Sequence, residues 1–249
     1  MHECEEKLEL RVGSRLVGDG HPTLLVAELS ANHGKSLEWA LETVDAAAEA
    51  GADAIKLQTY TADGMTLNSE KSEFRIQSGS IWDNRTLYNL YSDAHTPWEW
   101  HSELFERAQN RGMEFLSTPF DQDAIDFLCG LQVPMMKIAS FEITDPDFIF
   151  QVAKTKLPIA VSTGIATERE ITSALEACRR AGNKQVILMQ CSSTYPAQLS
   201  SANLRTMVDF RTKFGCLVGY SDHTLGELAT VTATALGASV VEKHFILDK

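Results

Sequence analysis

The sequence predicts one (β/α)8 TIM barrel on three observations: its 249-residue length, a repeating helix–glycine–strand unit, and apolar runs that end in polar residues. One such barrel takes roughly 250 residues. The unit repeats in architecture rather than in sequence. A helical stretch closes on glycine and a β-rich run follows in the segments holding Gly51, Gly112, Gly130, Gly182, Gly215 and Gly237. Glycine suits a left-handed residue that closes a helix, because it has no Cβ to strain. At the one remaining junction, KTKLPIAVSTG, Pro158 stands in its place.

Taken in order, the apolar runs place strands over residues 24–30, 54–60, 114–120, 135–140, 159–163, 185–192, 217–222 and 239–245. Their apolar residues are mostly consecutive, as parallel strands covered on both faces require. Amphipathic helices lie between them. Ser36 is placed to cap the first, with Leu37, Ala40, Leu41, Val44 and Ala48 along one stripe. Eight strands alternating with helices favour a closed barrel over an open sheet. Residues 1–22 are expected to cap the barrel as an N-terminal extension, and residues 23–249 to form it.

The connection 61–97 after the second strand far exceeds the usual length of about two to six residues. Within it, WDNRTLYNLY predicts a short helix with Leu87, Leu90 and Tyr91 on its apolar side. A long loop at this position can act as a lid or a substrate wall. Only four residues follow the eighth strand, so the eighth helix is expected to be absent.

A net charge of −12 argues against a nucleic-acid or anionic-membrane partner, since either needs a basic surface. It leaves open a small anionic substrate, for which a few local lysines suffice. The five cysteines are odd in number and form no CxxC, which predicts a reduced, cytoplasmic setting. The sequence shows neither a signal peptide nor a run long enough to span a membrane.

The chemistry of such a barrel sits at the carboxyl ends of its strands, and all eight predicted strands end in polar groups. They offer Glu28 and Ser30; Lys56 and Gln58; Ser117 and Thr118; Lys137, Ser140 and Glu142; Ser162 and Thr163; Ser192, Ser193, Thr194 and Tyr195; Ser221, Asp222 and His223; and Glu242, Lys243 and His244. Two lysines among several hydroxyls describe a site for a substrate bearing both phosphate and carboxylate. Nothing marks Cys191 as an activated nucleophile. His223 and His244 end adjacent strands, where two imidazoles can chelate one divalent ion and leave positions open for catalysis. Nitrogen, water and substrate oxygen as ligands favour manganese, magnesium or cobalt.

The segments AELSANHGKSLEWA, GADAIKLQTYT, FLSTPF, KIASFEITD, VSTGIAT, CSSTYPA, GYSDHTLG and VVEKHFILD occur in that order. Together they resemble the sialic acid synthase family, and most strongly its pseudaminic branch. The resemblance implies a TIM barrel followed by an antifreeze-like domain, which is expected to be absent here, in a domain-swapped homodimer. It implies that phosphoenolpyruvate joins the open-chain aldehyde of an N-acetylated sugar, giving a nine-carbon 2-keto sugar acid and phosphate. A divalent metal, Mn2+ first with Mg2+ or Co2+ as alternatives, falls on His223 and His244. Phosphoenolpyruvate falls against Lys56, Thr118, Lys137, Ser140, Ser162 and Ser221. Ser193 joins that set where sialic acid synthases often carry asparagine. The sugar side takes Glu28, Gln58, Glu142 and Tyr195, with Glu28 or Glu142 moving the aldehyde proton.

Phe141 after Ser140, where sialic and legionaminic synthases usually have glycine, points to 2,4-diacetamido-2,4,6-trideoxy-L-altrose as the sugar. The alternatives are an N-acetylneuraminate or legionaminate synthase, or a barrel that binds ligand without turnover.

Overall fold

The computed structural model describes residues 7–77 and 82–247; Cys4 and part of the 61–97 connection lie outside the described residues. The chain opens with a hairpin, β1 (Glu9–Val12) and β2 (Arg15–Gly18), paired antiparallel. Gly13 makes its turn at φ 57°, and a Cβ there would lie 2.0 Å from the Glu114 carboxylate. Ser14 fastens the turn by donating to Glu114 Oε1 from both its backbone N–H (2.8 Å) and its hydroxyl (2.7 Å).

Eight parallel strands follow: β3 (Leu24–Glu28), β4 (Ala54–Thr59), β5 (Glu114–Pro119), β6 (Met136–Ile138), β7 (Ile159–Ser162), β8 (Val186–Cys191), β9 (Leu217–Asp222) and β10 (Val240–His244). They close into a barrel, with β10 pairing β9 on one side and β3 on the other. At the closing seam His244 lies opposite Glu28. The expected strands are all present, each within a few residues of its expected bounds. The fourth of them, β6, is the shortest, because the chain leaves the ladder after Ile138 and carries Ser140 toward the mouth.

The helices are α1 (Leu37–Glu49), α2 (Ala62–Met65), α3 (Leu87–Ala94), α4 (His101–Asn110), α5 (Gln122–Leu131), α6 (Pro146–Lys154), α7 (Glu168–Arg180), α8 (Arg205–Phe214) and α9 (Leu228–Ala235). Ser36 caps α1 by accepting from the Trp39 N–H, and Thr167 with Glu170 forms a reciprocal capping box on α7. Glycine takes the left-handed position after five helices, but two junctions differ from expectation. Gly130 lies inside α5, and Gln132 at φ 62° ends that helix, its N–H bonded to the Leu128 and Cys129 carbonyls. After α6 the left-handed residue is Lys156 at φ 64°, two positions before Pro158. In both places the backbone bonds that close the helix end offset the modest strain of a side chain there.

Strand alternation divides the core. On β4, Ile55 and Leu57 face the helices, with Val44, Leu104 and Leu128 in the same layer, while Ala54 faces the barrel interior. Inside, Leu24, Val26, Ala54, Leu116, Met135, Ala160, Ile187, Leu217 and Val240 fill the amino-terminal half, and Leu10, Val12 and Val17 of the hairpin pack beneath them. With that half packed, the barrel interior opens at the carboxyl ends of the strands. Among the described residues no helix is long and apolar enough to cross a membrane.

The long connection is ordered where it meets the barrel. Thr86 caps α3 by accepting from the Asn89 N–H, and Tyr91 meets Tyr60 edge-on at 5.9 Å. Trp98 Nε1 donates to the Tyr60 carbonyl at 3.2 Å and ties the returning chain to the end of β4.

Candidate active site

A cavity of about 510 Å³ occupies the carboxyl end of the barrel. Its charged floor is built from three neighbouring strands and one across the barrel. Glu242 of β10 accepts from Lys137 Nζ at 2.9 and 3.0 Å and from the Ser221 hydroxyl at 3.0 Å. Its Oε2 also lies 3.7 Å from Lys56 Nζ. Lys56 pairs closely with Glu28, whose other oxygen accepts from the Ser30 hydroxyl at 2.6 Å. Lys56 further donates to Thr118 Oγ1 at 3.3 Å.

Every one of these four charged side chains is about nine-tenths buried or more. Burial works against the Lys56 ammonium, but Glu242 and Glu28 outweigh it and raise its pKa. Burial likewise opposes the Glu242 charge, and Lys137 and Lys56 overcome it and hold that carboxyl well below the usual range. The floor is therefore a quartet of two lysines and two carboxylates paired with one another.

Hydroxyls line one side. Ser162 ends β7, and Ser140 Oγ lies 3.2 Å from Cys191 Sγ and accepts from the Gly164 N–H at 3.3 Å. Ser193 Oγ is buried with no partner among the described residues. Glu142, just beyond β6, has a buried Oε2 that is likewise unpartnered, and burial raises its pKa.

His223 and His244 stand 5.5 Å apart between ring centroids, with Tyr195 against both at 4.2 and 5.8 Å. Burial lowers the pKa of both imidazoles and pushes the Tyr195 phenol up to about 12. His223 Nδ1 lies 2.7 Å from the Ser192 carbonyl. A carbonyl only accepts, so Nδ1 carries the proton and Nε2 keeps its lone pair. A neutral imidazole oriented by a carbonyl is the usual arrangement of a metal ligand. The two imidazoles line one cavity and suit a divalent ion held by two nitrogens; among the described residues no group of three His, Cys, Asp or Glu is arranged to hold one.

Apolar residues form the opposite wall: Tyr60 at the end of β4, Met65 of α2, Tyr91 of α3, Phe120 after β5, and Phe141. Phe120 meets Tyr60 edge-on at 5.5 Å. Phe141 is 67% exposed at the mouth.

The structure brings the thirteen residues to which the resemblance gave a role onto this one cavity: Glu28, Lys56, Gln58, Thr118, Lys137, Ser140, Glu142, Ser162, Ser193, Tyr195, Ser221, His223 and His244. Other strand-end polar groups point elsewhere. Ser117 turns to the Thr59 hydroxyl at 2.7 Å, and Lys243 pairs with Asp222 at 2.8 Å on the helix side of the sheet. Ser192 donates to the Ser201 carbonyl. Sequence reasoning gave no site role to Glu242, Cys191, Tyr60, Met65, Tyr91 or Phe120. Glu242 carried a usable signal, because it shares a strand face with His244 two residues on.

Fold and cavity together define the class: a TIM barrel with a buried lysine–carboxylate floor at the carboxyl ends of its strands. The sequence model of the NeuB family matches residues 43–249, and the chain belongs to that family. It is 51% identical over 225 residues to the pseudaminic acid synthase of Campylobacter jejuni, an alignment covering 90% of this chain and 65% of that protein. It is 50% identical over 228 residues to the pseudaminic acid synthase of Helicobacter pylori, covering 92% and 67%. The chain thus spans about two thirds of the length of these relatives. Among solved structures it superposes with a TM-score of 0.86 on the N-acetylneuraminic acid synthetase of Leptospira borgpetersenii, determined in complex with citrate. That pair is 31% identical, with 97% of this chain and 79% of the other covered.

Proposed function

We propose that the barrel condenses phosphoenolpyruvate with 2,4-diacetamido-2,4,6-trideoxy-L-altrose, acting as a pseudaminic acid synthase in the cytoplasm. The observation that carries this reading is the Lys56–Glu28–Glu242–Lys137 quartet facing hydroxyls on one side and an aromatic wall on the other. The half of the cavity around the lysines suits an anion with phosphate and carboxylate. The wall of Tyr60, Met65, Tyr91, Phe120 and Phe141 suits a sugar with a methyl group where others carry a hydroxymethyl. The identity to the two pseudaminic acid synthases supports the same choice.

Overall, C3 of phosphoenolpyruvate bonds to the sugar aldehyde carbon, water adds at C2, and the C–O bond to phosphate breaks. Lys56 and Lys137 hold the enol phosphate by charge, with Thr118, Ser140, Ser162, Ser193 and Ser221 as hydrogen-bond partners. Glu142 supplies the proton to the aldehyde oxygen: it lines the cavity with an unpartnered carboxyl oxygen, and burial raises its pKa. Glu28, Gln58 and Tyr195 orient the sugar. His223 and His244 would hold the divalent ion, with Mn2+ the first choice, and that ion supplies Lewis-acid polarisation of the aldehyde.

The test is phosphate release from phosphoenolpyruvate with manganese and each of three sugars: the trideoxy altrose, its legionaminic counterpart, and N-acetylmannosamine. Release should be fastest with the first and should vanish in His244→Ala. Preference for another sugar would refute the specificity, and activity that survives both His244→Ala and a chelator would refute the metal site.

A further inference from the structure

We propose that Gly164 is a positioning residue: carrying no Cβ, it lets Ser140, Ser193 and Cys191 close around one point, and so sets the hydroxyl spacing that receives the phosphate of phosphoenolpyruvate. The inference rests on the reading of the cavity given above. Gly164 follows β7 by two residues, and its φ lies outside the left-handed region, so backbone conformation does not demand glycine there. Space does. A Cβ would lie 2.4 Å from Ser193 Oγ, 2.8 Å from Cys191 Sγ and 3.0 Å from Ser140 Oγ.

These three groups come from different stretches of chain: Ser140 beyond β6, Cys191 at the end of β8, and Ser193 beyond it. They come together around this glycine. Ser140 Oγ is held from two sides, by the Gly164 N–H at 3.3 Å and by Cys191 Sγ at 3.2 Å. Ser193 Oγ is buried without a partner among the described residues, so its hydrogen-bonding capacity is left for a ligand. Any side chain at 164 forces Ser193 either to turn its hydroxyl away or to retreat by about 1 Å to reach ordinary contact. Displacing a hydrogen bond to a charged ligand can weaken binding by about 10- to 100-fold.

The experiment titrates phosphoenolpyruvate calorimetrically, with manganese present, into the wild type, Gly164→Ala, Ser193→Ala and the double variant. Melting temperatures and sugar binding are measured alongside. The expected result is phosphoenolpyruvate binding about 10- to 100-fold weaker in Gly164→Ala, with sugar binding and melting temperature nearly unchanged. Ser193→Ala should then cost less in the Gly164→Ala background than in the wild type, because the hydroxyl is already displaced. Binding within twofold of wild type, strictly additive losses, or a loss matched by a fall in melting temperature would each overturn the assignment. A wild type that does not bind phosphoenolpyruvate refutes the parent reading and this inference with it. Binding that is the same in wild type and Gly164→Ala refutes this inference alone.

Discussion

Replacing Glu242 with glutamine isolates the electrostatics of the cavity floor. Glu242 is the anion shared by Lys137, at 2.9 and 3.0 Å, and Lys56, at 3.7 Å. Lys56 keeps Glu28 after the substitution. Lys137 does not keep an anion, because among the described residues no second carboxylate pairs with it, and its side chain is only 5% exposed. Removing one partner of a buried pair strands the other charge and costs about 3–5 kcal/mol. In a chain of this size about 1 kcal/mol moves the melting temperature by about 2 °C or more, so Glu242→Gln should melt at least about 6 °C lower.

The double variant Glu242→Gln with Lys137→Met removes both charges and should recover most of that loss. Phosphoenolpyruvate brings negative charge to the stranded lysine, so it should raise the melting temperature of Glu242→Gln more than that of wild type. Differential scanning calorimetry with and without ligand reads all of this. A Glu242→Gln protein melting within 2 °C of wild type, or a double variant worse than the single, would show that Glu242 is not the anion on which buried Lys137 depends.

Four further outcomes follow from the geometry. Glu142→Gln should lower the rate of phosphate release by about 10²- to 10⁴-fold while leaving phosphoenolpyruvate binding within a few-fold, as calorimetry and single-turnover kinetics would show. His244→Ala should abolish the bound manganese signal in electron paramagnetic resonance; a retained signal would place the ion elsewhere. Thr86→Ala removes the cap of α3, should cost about 1 kcal/mol, and should raise KM for the sugar through Tyr91 with little change in KM for phosphoenolpyruvate. His101 is fully buried between the Thr59 hydroxyl (2.9 Å) and the Pro97 carbonyl (3.2 Å), and burial pushes its pKa down to about 4. Its unfolded value is near 6.5, so the folded state binds fewer protons between these limits. Stability should then fall by about 3 kcal/mol as pH drops from about 6.5 to about 4, and His101→Gln should flatten that slope in melting curves taken across the range.

The barrel was legible because its signals are local: each helix end, apolar run and cap occupies a short stretch, and together they leave little choice of architecture. The site was legible up to the strand ends, where one-dimensional reading cannot tell inside from outside. Ser221 and Asp222, or Glu242 and Lys243, look alike as polar pairs closing apolar runs. Only closure of the sheet sends Ser221 and Glu242 into the cavity and turns Asp222 and Lys243 outward into a pair of their own. Alternation links Glu242 to His244, so once a histidine is assigned to the mouth, the glutamate must face the interior with it.

The aromatic wall was legible only in part, through the long 61–97 connection and Phe141. Tyr60, Met65, Tyr91, Phe120 and Phe141 come from three separate connections, after β4, β5 and β6, and their adjacency depends on contacts such as Tyr60 with Tyr91 and Phe120. An apolar residue on a loop looks the same whether it covers a core or a ligand. Distinguishing the two requires an empty volume beside it, and the 510 Å³ cavity supplies that volume here. Gly164 shows the same limit in reverse. In sequence it is a turn glycine like many others, and its ordinary φ would make it replaceable. The three side-chain atoms within 3.0 Å of its missing Cβ make it a position where one methyl group should rearrange the site.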